Sequence, residues 1–203
     1  MGAKRGRGRS ARRRRAGLSL VEAAIIVSLV GIGLAMFVPT FVRELRTSKT
    51  SEAVENLQLL SQRSAAYFAT PWPREDGPAA LRCLPSTVGP TPRQPTVEPE
   101  TVIFSSEETP GHATWAALGF PRALDPEADD HDQPSLDVRY AYTFEPTASG
   151  CGLRSPEGSY LLTLRAEGDL DGDGERSLFE RRMAADEEGL HAFGILYVLD
   201  RAE

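Results

Sequence analysis

The sequence predicts an α+β fold: a long N-terminal helix, first transmembrane and then amphipathic, packed on a small, mostly antiparallel β-sheet head. Three observations carry this expectation. An apolar run from Leu18 to Val38 passes directly into a pattern of three- and four-residue apolar spacing that continues to Thr70. Short segments rich in β-branched and aromatic residues follow in the C-terminal half. Proline-rich stretches separate the two.

The first element is not part of the fold. The 203 residues carry a formal net charge of −6, but the charges are segregated. Residues 1–17 contain Lys4, Arg5, Arg7, Arg9 and Arg12 to Arg15 and no acid; the remainder holds 15 basic against 29 acidic residues. A basic head on an acidic body reads as a targeting segment of an exported protein. The other reading is a basic arm for nucleic acid. A nucleic-acid partner is not expected, because an apolar run rather than a soluble domain follows the arm.

Leu18 to Val38 is 21 residues with a single charge, Glu22. A helix of that length covers ~31 Å, about the hydrocarbon thickness of a bilayer. The run is too long for a signal-peptide core, and Pro39-Thr40-Phe41 continues from it without a small-residue cleavage site. The arginines immediately before it place the N-terminus in the cytoplasm and the body outside. An acid in such a helix costs up to ~3 kcal/mol at the bilayer centre and less near the interface. Glu22 therefore either reaches the headgroups or has a partner.

The string RRRRAG-LSLVE, residues 12–22, is a basic stretch, a glycine, and then an apolar helix whose fifth residue is glutamate. It resembles the signal of type IV prepilins and of the pseudopilins of type II secretion. Gly31, Gly33 and Pro39 are similar to the small residues and proline of that family's helix, and the likeness covers about residues 12–40. Leu18 stands where the family usually has Phe, and the leader is long and very basic. The resemblance implies that residues 1–17 are a leader removed by a prepilin peptidase between Gly17 and Leu18, with methylation of the new amine. It implies that Glu22 pairs with the N-terminal amine of a neighbouring subunit during assembly. It further implies a single-pass precursor in the bacterial inner membrane, in contact with its lipid, with the head in the periplasm until it joins other pilin or pseudopilin subunits in a pilus or pseudopilus.

Residues 18–70 are then one helix, with Val42, Leu45, Ala53, Leu57, Leu60, Ser64 and Tyr67 on its buried face and Pro71 and Pro73 ending it. Residues 71–203 form the head. Eight prolines between 71 and 101 predict a long loop with no regular element before a short strand at Thr101 to Ser105. Trp115 to Phe120 is an apolar anchor, and 121–137 is an acidic, proline-rich loop. Val138 to Phe144 and Tyr160 to Arg165 read as strands, and Phe193 to Leu199 as a buried strand.

Two features of the head carry chemistry. Cys83 and Cys151 lie in no zinc-type spacing; in an oxidising compartment they can pair as a disulfide, the other reading being two buried thiols. From Asp169 the sequence DLDGDGERSLFE places oxygen-bearing residues at the spacing of a twelve-residue calcium loop: Asp169, Asp171, Asp173, the carbonyl of Glu175, Ser177 and Glu180, with Gly174 at the turn. Arg176 occupies a place that is normally apolar, and the flanks read as strands rather than helices. The expectation is structural Ca2+ in loop 169–180, against a solvated acidic turn that binds nothing.

No catalytic pattern is present. His112, His131 and His191 are far apart, and nucleophile elbows and phosphate-binding glycine loops are absent. No enzyme is expected, and the resemblance implies a filament subunit, a minor pilin or pseudopilin. The competing class is a singly anchored periplasmic calcium-binding module that never polymerises.

Overall fold

The computed structural model describes residues 19–74, 77–121 and 135–199, with side chains except at 39–48, 73–74 and 77–80. Gly17, Leu18 and His131 lie outside the described residues. The chain divides into two compact units, Met1–Arg43 and Glu44–Glu203, each taken by itself below.

Helix α1 spans Leu20–Ala69. In the first unit its residues Leu20–Val38 are long and apolar enough to cross a membrane, and almost all their side chains are exposed. Ser19 starts the helix. The Glu22 backbone N–H donates to Ser19 Oγ at 3.2 Å, and the Ser19 N–H donates to Glu22 Oε2 at 2.9 Å. This is a capping box, which satisfies two backbone donors that a helix start leaves open.

In the second unit, Ala53, Leu57, Leu60, Ser64 and Phe68 recur at three- and four-residue steps on α1 and are all but fully buried. The helix stops at Ala69. Thr70 turns its N–H and its hydroxyl onto the Ala66 carbonyl, and Pro71 disfavours the helical conformation for the residue before it.

Beyond the helix come β1 (Trp72–Arg74), β2 (Gly77–Leu81), β3 (Cys83–Leu84), β4 (Val88–Thr91) and β5 (Glu100–Val102). The expected structureless loop is thus corrected: short strands tolerate prolines at edges and bulges. Pro90 sits in β4, at one edge of the main sheet and beside a register irregularity. Helix α2 (His112–Leu118) carries the predicted apolar anchor. Trp115, Leu118 and Phe120 are buried, and Trp115 Nε1 donates to Thr91 Oγ1 at 3.2 Å.

The remaining strands are β6 (Leu136–Val138), β7 (Ala141–Pro146), β8 (Gly150–Cys151), β9 (Leu162–Gly168), β10 (Ser177–Ala185), β11 (Leu190–Ala192) and β12 (Tyr197–Leu199). Five of these together with β4 make the main six-stranded sheet, ordered β11-β10-β9-β7-β4, with β12 also on β10. Every pairing among the described residues is antiparallel. A single hydrophobic cluster joins the α1 face to Tyr142, Phe144, Leu162, Leu164, Phe179 and Met183, so the head is a helix-on-sheet α+β unit.

Two strand expectations need correcting. Strand β10 is absent from the sequence expectation, because Glu180-Arg181-Arg182 interrupts its apolar pattern; Glu180 is held there by Arg165 of β9 and by Arg182 of its own strand. Phe193 to Leu199 is not buried. Only Tyr197–Leu199 is strand, all three of its residues are exposed, and Ile195 is 91% exposed. Among the described residues this segment is the outermost on its side of the sheet, with no further strand beyond it.

A polar pin fastens α1 to the sheet. Glu52 accepts the backbone N–H of Arg139 at 2.8 Å and the Arg139 guanidinium at 3.3 Å. The Tyr142 hydroxyl donates to Glu52 at 3.4 Å and accepts from Asn56 Nδ2 at 2.8 Å. Burial, reinforced by the Glu52 charge, pushes the Tyr142 phenol well above its ordinary pKa. A buried polar network is tolerated where its members are paired; here the carboxylate, phenol and amide are paired, while Arg139 Nε is buried without a hydrogen-bond partner.

Candidate functional site

The acidic loop is a connection between antiparallel strands. Strand β9 ends at Gly168 and β10 begins opposite it at Ser177, so residues 169–176 bridge a hairpin. Three carboxylates converge there: oxygens of Asp169, Asp171 and Asp173 lie within 4.8 Å of one another. Each aspartate also accepts a backbone N–H just ahead of it. Gly172 donates to Asp169 at 2.8 Å, Asp173 to Asp171 at 3.4 Å and Glu175 to Asp173 at 2.8 Å. Gly172 and Gly174 have φ of 79° and 93°, the left-handed conformation these tight turns require. Lys49 of α1 donates to the Leu170 carbonyl at 3.4 Å, and Leu170 is buried, so the loop is tied down at its base.

The other residues of the predicted loop are placed elsewhere. Ser177 is fully buried, and its hydroxyl donates to the Gly168 carbonyl at 3.3 Å. Glu180 lies along β10, where Oε2 accepts from Arg165 Nε at 2.9 Å and Oε1 from Arg182 Nε at 2.7 Å. Arg165 reaches on to Glu145 at 2.6 Å, making an ion ladder across β7, β9 and β10. Burial works to raise the Glu180 pKa, but the two guanidiniums outweigh it and hold the carboxyl below its usual range. Glu180 therefore serves the sheet here, and Glu175 contributes its backbone N–H to an aspartate turn. The physical cause is that β10 pairs from Ser177 onward and carries the later residues away from the loop.

Three hard carboxylates suit a hard divalent cation, and the backbone bonds occupy only one oxygen of each.

Cys83 and Cys151 form a disulfide that joins the two-stranded sheet β3-β8 and spans 68 positions of sequence. Cys83 is buried and Cys151 is exposed. Of the histidines, His191 Nδ1 lies 3.5 Å from Asp186 on the surface.

Ser19 caps the helix start, and S-x-x-E at 19–22 is itself a recognisable cap signature that the sequence reading passes over. The capping box gives Glu22 a partner within its own chain. No family model, no curated protein and no solved structure matches this chain.

Proposed function

We propose that the chain is a structural filament subunit, a minor pilin or pseudopilin of a type IV pilus or type II secretion system. It is made as an inner-membrane precursor with its N-terminus in the cytoplasm and its head in the periplasm. A prepilin peptidase cuts between Gly17 and Leu18, and the protein then stacks on other subunits through α1. The observation that carries this reading is Glu22, the one charge in an apolar helix start that directly follows RRRRAG. Its cost in lipid is recovered if a neighbour's N-terminal amine neutralises it, which also sets subunit register. The aspartate loop holds Ca2+ in a structural role, relieving the repulsion of three crowded carboxylates.

One observation favours a second reading. The Ser19–Glu22 capping box already provides hydrogen bonds for Glu22, as suits a helix that only anchors a periplasmic calcium-binding head. Glu22→Gln separates the two, because glutamine keeps the cap geometry but removes the charge. A filament subunit loses incorporation at least tenfold on this change. Incorporation at the wild-type level contradicts the pairing role.

A further inference from the structure

The connection between β9 and β10 contains two Asp–Gly steps in succession, Asp171–Gly172 and Asp173–Gly174, and all four residues are exposed. At such a step a peptide nitrogen can attack the side chain of the residue before it. Glycine has no Cβ to keep the chain away from that carboxyl. An aspartate that accepts the N–H two residues ahead also folds its carboxyl back over the intervening peptide. The reacting groups are then held together before they react, as an intramolecular step requires.

The two steps differ in three ways. The Gly172 N–H is engaged, donating to Asp169 Oδ1 at 2.8 Å, whereas among the described residues no acceptor takes the Gly174 N–H. The fold-back of Asp171 is loose, with the Asp173 N–H at 3.4 Å; that of Asp173 is tight, with the Glu175 N–H at 2.8 Å. A Cβ placed on Gly172 would meet Val97 Cγ2 at 3.1 Å, while one on Gly174 would have nothing within 4 Å. Gly174 is therefore both unbonded and free to move onto its neighbour.

We propose that Asp173 is a site of spontaneous aspartate isomerisation and that the fold protects Asp171 from the same reaction. The Gly174 nitrogen attacks Asp173 Cγ. A new N–C bond forms as the carboxyl hydroxyl and the amide hydrogen leave as water, giving a five-membered imide. Water then opens the ring. Addition at the side-chain carbonyl restores aspartate; addition at the main-chain carbonyl leaves the chain running through Cγ, with the α-carboxyl as the free acid. One water is lost and one regained, and nothing is oxidised or reduced. The product carries one more backbone carbon and a displaced carboxylate, which breaks the Asp173–Glu175 turn and takes one oxygen donor out of the cluster. The flanking strands are paired from Gly168–Ser177 to Leu162–Met183, so the change is confined to the loop. The acidic loop ages while the head stays folded. This goes beyond the filament reading and stands without it.

The test is ageing of the purified full chain in detergent at neutral pH with a chelator, followed by trypsin. Cleavage after Arg165 and Arg176 releases residues 166–176 with both steps in one peptide, and electron-transfer fragmentation locates the isoaspartate. The folded chain accumulates it at 173 about fivefold faster than at 171, the factor that one engaged hydrogen bond sets. A synthetic peptide 166–176 shows no such preference. Asp169→Ala frees the Gly172 N–H and raises the rate at 171 about fivefold, whereas Asp169→Asn keeps an acceptor and leaves it low. Equal rates at the two positions in the folded chain, a faster rate at 171, the same preference in the peptide, or no isoaspartate at 173 once the peptide has converted would overturn the proposal. So would a rate at 171 that ignores Asp169→Ala or rises equally in both Asp169 variants.

Discussion

Ser19 and Glu22 hold each other through two reciprocal backbone-to-side-chain bonds at the first turn of α1. The one acid of the apolar segment is thus part of the helix start as well as a charge. Ser19→Ala removes half of the box and costs about 1 kcal/mol of helix stability, confined to the first turn. Amide exchange at residues 20–23 should quicken several-fold with no change in the melting of the head. Unchanged exchange would show that the cap contributes nothing.

Calcium binding should depend on the aspartates and not on Glu180. Calcium at about a hundred times its dissociation constant stabilises the folded head by ~2.7 kcal/mol, seen as a rise in Tm. Asp171→Ala should abolish that rise. Glu180→Gln should lower the starting Tm yet leave the calcium-induced rise intact, because both Glu180 oxygens are engaged by Arg165 and Arg182. A rise lost in Glu180→Gln would restore Glu180 as a ligand.

The ion ladder makes stability fall in acid. Glu180 titrates below its ordinary pKa in the folded head, so the unfolded chain takes up the proton first. The resulting stability is fully present above the ordinary value of 4.5 and is lost as pH falls through the folded value. The side chains of Arg165 and Arg182 are 36% and 49% exposed, which limits the contribution to roughly 1–2 kcal/mol. Melting temperature measured from pH 7 down to pH 3 should drop less steeply in Glu180→Gln than in the parent. Parallel curves would remove Glu180 from the account.

The Cys83–Cys151 bridge closes a long loop, worth ~4 kcal/mol in the loop-entropy treatment. Replacing both cysteines with alanine, or reducing the bridge, should lower the Tm of the full chain by roughly 10 °C. A change of 1–2 °C would show that the bridge adds little to a core that already holds these strands.

How much of this was legible in the sequence depended on whether local pattern and tertiary demand agreed. The helix running to Ala69 was legible because apolar spacing, Thr70 and Pro71 all point the same way. Trp115, Leu118 and Phe120 were legible because large apolar groups at helical spacing have few uses besides packing. Strand β10 was not: Glu180 and Arg182 look like a solvated run until Arg165 arrives from the neighbouring strand. Phe193 to Leu199 misled in the opposite sense, since its composition says core while its place at the sheet edge leaves it exposed. At the loop, the Asp-x-Asp-x-Asp spacing found three carboxylates that do converge. Ser177 and Glu180 followed the register of β10, which no local motif encodes.

The central claim, that the helix is an assembly element cut from a precursor, rests on the Gly17–Leu18 bond. Intact-mass and N-terminal peptide mass spectrometry of the protein from membranes that contain a prepilin peptidase tests it most directly. The account predicts a mature chain that begins at Leu18 with a methylated amine. A chain that still begins at Met1 or is cut elsewhere, with no methyl group on its amine, would contradict it.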